Sequence, residues 1–362
     1  MKILYLITGL RLGGAEHQLL ILAKNMLKEG SDVEVITMES GGVMIKQFRQ
    51  SGIVVHELEI RKFATLRSGY VRFKKLVVDF KPDIIHSHMI HANLFARAFK
   101  IFNKKYKLIN TAHNIRENGR TVMHAYALTR KVPEWSTNVS REAYAYFLSK
   151  GYFDVNKSSY MPNAIDTARF IEGANWSNSL HGELGLDNES FIFFSAGRLE
   201  PQKNYYMLLQ SFAIVRQQID NVYLVIAGEG NDEKILKKLS SDLQISAYVH
   251  FLGRRSDMPF LLNQSDCFVL SSSFEGFGMV VAEAMAAGRF VIGTDCGGVK
   301  EVMGGFGELV EVDNHQVMAE AMIRAYRFPK SHAELEAASK HIKDNYSIPD
   351  VISRWLKLYN GI

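Results

Sequence analysis

The chain has 362 residues, 47% hydrophobic and 22% charged, a composition expected of a soluble globular protein and a length that fits two ordinary domains. Cys267 and Cys296 are its only cysteines, too few for a disulfide framework, so a reducing compartment is expected. The net charge of +5 is unevenly spread: residues 1–160 hold 25 Lys/Arg against 13 Asp/Glu, and the remainder is acidic. That asymmetry predicts an anionic partner for the first half, whether nucleic acid, an anionic membrane face or a phosphorylated acceptor. No uncharged apolar run approaches ~18 residues, so no membrane-spanning segment is expected. The N-terminal apolar run is too short for a signal peptide.

Lys2–Thr8 reads as a buried strand. Gly9, Gly13 and Gly14 follow, and Leu19, Leu22, Ala23, Met26 and Leu27 then recur at helical spacing up to Gly30. Asp32–Met38 is the next strand, so the chain opens as a doubly wound α/β domain. The loop is neither a G-x-G-x-x-G fingerprint nor a Walker A loop. Its paired glycines can still admit a phosphate close to the backbone, a tight βα turn being the plain alternative.

Ile53–Leu58 is a third strand. Two segments then mix cations with aromatics: residues 61–75, with Arg72, Lys74 and Lys75, and Arg97–Lys107, with Lys104 and Lys105. Basic, aromatic and amphipathic together predict a surface resting on anionic lipid headgroups, against the alternative of a solvated helix face. No nucleic-acid-binding module is recognisable. Asp83–His88 ends in an H-x-H pair, but no further ligands sit at zinc spacing, so no metal site is expected. Lys107–Asn114 places His113 after a strand, at the carboxyl end where open α/β sheets bind ligands.

Tyr160–Asp166 breaks the pattern and residues 173–190 are polar. The domains are therefore placed at 1–165 and 166–346, with a C-terminal helix over about 347–362 expected to pack back on the first. A second α/β unit begins at the strand Phe191–Ala196. The loop after it carries Arg198 and Lys203, two cations placed to clamp a diphosphate. Strands follow at Val222–Ala227, Tyr248–Leu252, Cys267–Leu270 and Phe290–Gly293. Between the last two lies Ser273-Phe-Glu275-Gly-Phe-Gly278-Met279, running into Glu283 and Gly288. Strand, glycine-rich turn and helix start suit an anionic ligand, and Glu275 and Glu283 can accept hydrogen bonds from sugar hydroxyls. An ordinary αβ connection with a capping Glu is the alternative.

In order, Gly13-Gly14-Ala-Glu, Pro162-Asn163-Ala-Ile-Asp166, Gly197-Arg198-Leu-x-x-x-Lys203-Asn204, the E-x7-E pair Glu275/Glu283 and Gly297-Gly298-Val-Lys-Glu301 resemble the family-four retaining nucleotide-sugar glycosyltransferases. The resemblance covers nearly the whole chain. It implies a GT-B fold, with two Rossmann-like domains facing each other across a cleft, the first for acceptor and the second for donor. It also implies donor diphosphate at Gly14, Arg198, Lys203, Gly278 and Met279, ribose at Glu283, base near Gly253 and Arg254, and the transferred sugar at Glu275 and His113. Lys300 stands where the family usually has Pro.

The implied reaction moves a hexose or N-acetylhexosamine from a UDP-sugar to a membrane lipid-linked saccharide, in surface polysaccharide or oligosaccharide assembly on the cytoplasmic face of the membrane. No cofactor or metal is expected. The chain contains no D-x-D, and protein cations with a helix N-terminus can stabilise the leaving diphosphate. A same-fold UDP-sugar epimerase and a non-catalytic nucleotide-sugar-binding protein are the alternatives.

Overall fold

The computed structural model describes residues 1–11, 13–60, 63–114, 119–171, 176 and 178–362. The chain divides into two compact units, Met1–Ala164 with Ile348–Ile362, and Ile165–Ser347.

The first unit holds seven strands: β1 (Lys2–Ile7), β2 (Asp32–Thr37), β3 (Val54–Glu57), β4 (Ile84–His88), β5 (Lys107–Ala112), β6 (Trp135–Asn138) and β7 (Ser158–Tyr160). Their order is β3-β2-β1-β4-β5-β6-β7, with every neighbouring pair parallel. The chain begins in the middle, runs outward to β3, then returns to lay β4 beside β1. This reversal makes a crevice at the carboxyl ends of β1 and β4.

Helices cover both faces of such a sheet, so its strands read as continuous apolar runs. Ile3, Tyr5 and Ile7 face one core with Leu19, Leu22 and Met26 of the helix Gly14–Lys28. Leu4 and Leu6 face the other with Phe73, Phe95 and Phe99. The last helix, Ile348–Gly361, returns to the first unit and sets Val351, Ile352, Trp355 and Tyr359 into the first of these cores.

The second unit holds β8 (Phe191–Ala196), β9 (Val222–Ala227), β10 (Val249–Phe251), β11 (Cys267–Leu270), β12 (Phe290–Thr294) and β13 (Glu308–Val310), in the order β10-β9-β8-β11-β12-β13 and again parallel. Here the reversal falls between β8 and β11. The short strands β7 and β13 are not announced by the sequence.

One expectation is corrected. The segment Arg97–Lys107 is not uniformly a cationic surface. Arg97 is fully buried, its guanidinium 3.7 Å from the Tyr126 ring centroid and donating to Asn110 Oδ1 (2.6 Å) and the Tyr126 carbonyl (2.8 Å). Lys100 is buried as well and pairs with Glu134 at 2.8 Å. Arg97 satisfies a side chain of β5 and a carbonyl of the helix Arg120–Leu128, Lys100 pairs with a loop carboxylate, and only Lys104, Lys105 and Lys107 beyond them are exposed.

Trp355 is 5% exposed, so its truncation removes packing that the first unit needs from the chain's last helix. Trp355→Ala should cost about 3–5 kcal/mol, read as a lower urea midpoint. A midpoint equal to that of the parent chain would show that the helix adds nothing to this core.

Candidate active site

The second reversal point gathers the polar residues. Gly197–Asn204 leaves the carboxyl end of β8, and Ser271–Gly278 leaves that of β11. Asn204 takes a left-handed φ of 48° and caps the helix Tyr205–Arg216, its side chain accepting from the Met207 N–H. The preceding residue, Lys203, lays its stem against Gly197.

The two loops are stitched together. The Ser273 N–H donates to the Gln202 carbonyl (2.9 Å), Gln202 Nε2 to the Phe274 carbonyl (2.9 Å) and Ser271 Oγ to the Lys203 carbonyl (2.8 Å). On this frame Lys203 Nζ meets Glu275 Oε1 at 2.6 Å, and Ser272 Oγ donates to the same oxygen at 2.7 Å. Both charged side chains are largely covered, 15% and 11% exposed. Gly297, with φ +55°, passes directly beneath: a Cβ there would stand 1.8 Å from the Glu275 carbonyl oxygen. Only glycine fits, which explains the first residue of the Gly297-Gly298 pair.

Gly278, in a left-handed conformation, starts the helix Met279–Ala286. Its positive end lies three residues after Glu275, an arrangement that suits a bound anion beside the Lys203 ammonium. On the same helix Glu283 keeps partial solvent access, but protein crowds its carboxyl. Burial pushes its pKa up to about 7, and the nearby Arg169 opposes the rise.

The other assigned residues lie apart from this contact. Arg198 is 59% exposed and pairs with Glu200 at 3.0 Å. Thus the structure does not bring Arg198 and Lys203 onto one partner. Gly253 takes a left-handed φ and accepts from the Gly228 N–H (2.8 Å), while Arg254 stands 4.0 Å from Glu229. Lys300 reaches toward Asp295 at 3.7 Å from an exposed position. Sequence reasoning missed Ser272, Gln202 and Arg169. The run Ser271-Ser272-Ser273 at the end of β11 was the available signal for the first.

In the first unit, Gly14 opens its helix, and the carboxylate of Glu16 folds over Gly13 so closely that a Cβ there would lie 2.5 Å from it. His113 follows β5, is 8% exposed, and has its Nε2 3.0 Å from His88 Nδ1. Burial holds its pKa down at about 4, so the ring is neutral above that pH. His86 and His88 are buried too, and burial pushes both well below the ordinary histidine range. His86 is held by Tyr359 and Thr111, each at 2.7 Å. Among the described residues no cluster of three or more His, Cys, Asp or Glu has metal-binding geometry.

Residues 12–169 match the family called Glycosyltransferase Family 4, and residues 177–342 match Glycosyl transferases group 1. The chain belongs to the family-four glycosyltransferases. It is 27% identical to an Escherichia coli UDP-Gal:alpha-D-GlcNAc-diphosphoundecaprenol alpha-1,3-galactosyltransferase, over 82% of this chain and 80% of that one. It is 25% identical to a Campylobacter jejuni alpha-1,4-N-acetyl-D-galactosaminyltransferase acting on a diNAcBac-PP-undecaprenol-linked saccharide, over 99% and 98%. The match to a Methanocaldococcus jannaschii glycosyltransferase spans 60% of the relative's length. Anabaena Alr3699/HepE, solved with UDP and glucose, superposes with a TM-score of 0.89 at 20% identity over the whole of both chains. The two parallel sheets are those of the GT-B fold.

The assigned acceptor-surface cations Arg72, Lys74, Lys75, Lys104 and Lys105 are all exposed, and Arg72 pairs with Glu59 at 2.6 Å. Arg61 and Lys62 lie outside the described residues. Among the described residues no helix is long and apolar enough to cross a membrane.

The crowding of Glu283 has a pH signature. An acid whose folded pKa lies above its unfolded value contributes its stability fully below the unfolded value, near 4.5, and loses it as pH rises through about 7. The stability of the parent chain relative to Glu283→Gln should therefore fall between pH 4.5 and 7 in urea titrations. Parallel profiles for the two chains would contradict this.

Proposed function

We propose that this glycosyltransferase moves a hexose or N-acetylhexosamine from a UDP-sugar to a lipid-linked saccharide at a membrane surface, retaining anomeric configuration and needing no metal. The observation that carries the reading is the contact between Lys203 and Glu275 at the β8/β11 crevice. Breaking a sugar–phosphate bond builds negative charge on the diphosphate and positive charge on the sugar. A carboxylate and an ammonium in contact, beside a helix N-terminus, offer a partner to each.

Lys203 has three N–H donors, so it can hold Glu275 with one and a phosphate oxygen with another. Gly278 and Met279 bring the helix end to the same diphosphate. Arg198 joins them on release from Glu200, and Gly14 is assigned to the diphosphate from the first unit. Glu283 takes the ribose hydroxyls, and Gly253 and Arg254 the base. Glu275 stabilises charge at the reacting carbon rather than attacking it, and His113 is assigned to the transferred sugar. Retention then follows from attack on the face that the phosphate leaves, the departing phosphate accepting the acceptor's proton.

The choice of donor and acceptor is supported by the Escherichia coli and Campylobacter jejuni relatives, whose names specify undecaprenol-diphosphate-linked acceptors, and by the UDP held by the Anabaena protein. Such acceptors belong to surface polysaccharide or oligosaccharide assembly on the cytoplasmic face of the membrane. There the exposed Lys74, Lys75, Lys104 and Lys105 would meet anionic headgroups.

Incubating the enzyme with UDP-sugars and an undecaprenol-diphosphate-linked saccharide should give a lengthened acceptor and UDP, in chelator as well as without it. Glu275→Ala should still bind UDP but lose about 100-fold or more of transfer. Epimerised UDP-sugar with no acceptor present, or donor binding with no turnover, would replace this reading with the epimerase or the binding protein. Reversing the charge of the four lysines should reduce flotation with phosphatidylglycerol vesicles, each lysine contributing about 1 kcal/mol, and leave UDP affinity unchanged. Flotation equal to that of the parent would remove the membrane surface from the account.

A further inference from the structure

The loop that carries Glu275 holds two phenylalanines with opposite fates. Phe277 is 2% exposed and packs edge-on against the Tyr346 ring, centroids 5.3 Å apart. Phe274 is 45% exposed, and from Ser271 to Gly278 it alone is exposed. Single exposed apolar side chains are common on protein surfaces, so exposure by itself decides nothing. The place of Phe274 in the loop is what sets it apart.

Phe274 stands on a fixed base. The N–H of Ser273, just before it, donates to the Gln202 carbonyl, and the Phe274 carbonyl accepts from Gln202 Nε2, both at 2.9 Å. Glu275, just after it, is anchored by Lys203 and Ser272 and turned inward, 11% exposed, with Gly297 passing beneath its carbonyl. A phenyl group is thus presented to solvent from a backbone held on both sides. It stands one residue, about 3.8 Å along the chain, from the carboxylate assigned to the transferred sugar.

We propose that Phe274 forms the acceptor side of the reacting centre, its ring stacking on the pyranose that receives the sugar; this rests on the assignment of Glu275 to the transferred sugar. Given that assignment, the acceptor hydroxyl must come to about 3–3.5 Å from the anomeric carbon before it attacks, so the acceptor ring lies beside this loop. A pyranose has an apolar face of C–H groups, whose weakly positive hydrogens suit the negative face of an aromatic ring. The carboxylate, ammonium and hydroxyl of Glu275, Lys203 and Ser272 meet one another on the inner side of the loop, where the donor's polar groups find partners. The exposed phenyl is on the outer side, open to the ring that arrives second.

In transfer assays with undecaprenol-diphosphate-linked N-acetylglucosamine, Phe274→Ala should raise the acceptor KM about four- to ten-fold, the effect of leaving about half of a Phe side chain uncovered. The donor KM and the UDP affinity should not change. Phe274→Tyr keeps the flat ring and should recover most of the loss, whereas Phe274→Leu, apolar but not flat, should not. An unchanged acceptor KM in Phe274→Ala, a raised donor KM, or equal recovery by leucine and tyrosine would each overturn the proposal. Binding is read apart from turnover in Phe274→Trp, whose added fluorescence should shift with the linked saccharide and not with undecaprenol diphosphate alone or with UDP. No shift with the saccharide overturns the contact. A shift in Phe274→Trp when the parent chain transfers nothing would overturn the proposed function and leave the contact standing.

Discussion

The ion pair between Lys203 and Glu275 is the contact on which the reaction proposed for the second unit depends. The two residues are 72 positions apart, and neither loop alone would hold its charge in place. Topology joins them: β8 and β11 are neighbours only because the chain reverses there, and both loops leave the carboxyl edge. Three loop-to-loop hydrogen bonds and the absence of a side chain at Gly297 then hold the carboxylate against the ammonium. A pair this well covered costs desolvation, and replacing such pairs by apolar residues is often neutral or stabilising. In the proposed reaction that cost serves function: the pair would keep a cation and an anion side by side where a sugar–phosphate bond separates charge.

The first unit uses burial differently. Its polar residues at the carboxyl edge are neutral and interlocked, with histidines, threonines and tyrosines sharing protons across four strands. The chain's last helix closes that row through Tyr359, so the end of the sequence helps to order residues near its beginning. Arg97 does likewise beside β5: its buried guanidinium satisfies an asparagine side chain and a carbonyl in a helix's last turn at once.

Much of this was legible in the sequence. Apolar runs of five or six residues separated by helical spacing gave β1, β2, β8 and β9 nearly to the residue, because strands buried on both faces carry no competing polar pattern. Glycine and polar residues at their carboxyl ends marked the loops that matter. What pairs with what was not legible. Lys203 and Arg198 look alike as loop cations, but one meets Glu275 on the neighbouring loop and the other Glu200 on its own. Arg97 reads as a surface cation because its partners, Asn110 and the Tyr126 carbonyl, lie 13 and 29 residues away. The raised pKa of Glu283 depends on the packing around its helix, which no local pattern encodes.

The most direct test of the central claim is the affinity for UDP, measured by calorimetry on the parent chain, Lys203→Met and Glu275→Gln. If Lys203 serves the carboxylate and the diphosphate together, Lys203→Met should weaken UDP at least ten-fold, in keeping with the roughly 1.5–3 kcal/mol of a charge-assisted hydrogen bond. Glu275→Gln should leave UDP equally or more tightly bound, since it frees the lysine from its charged partner. UDP binding to Lys203→Met with undiminished affinity would contradict the account.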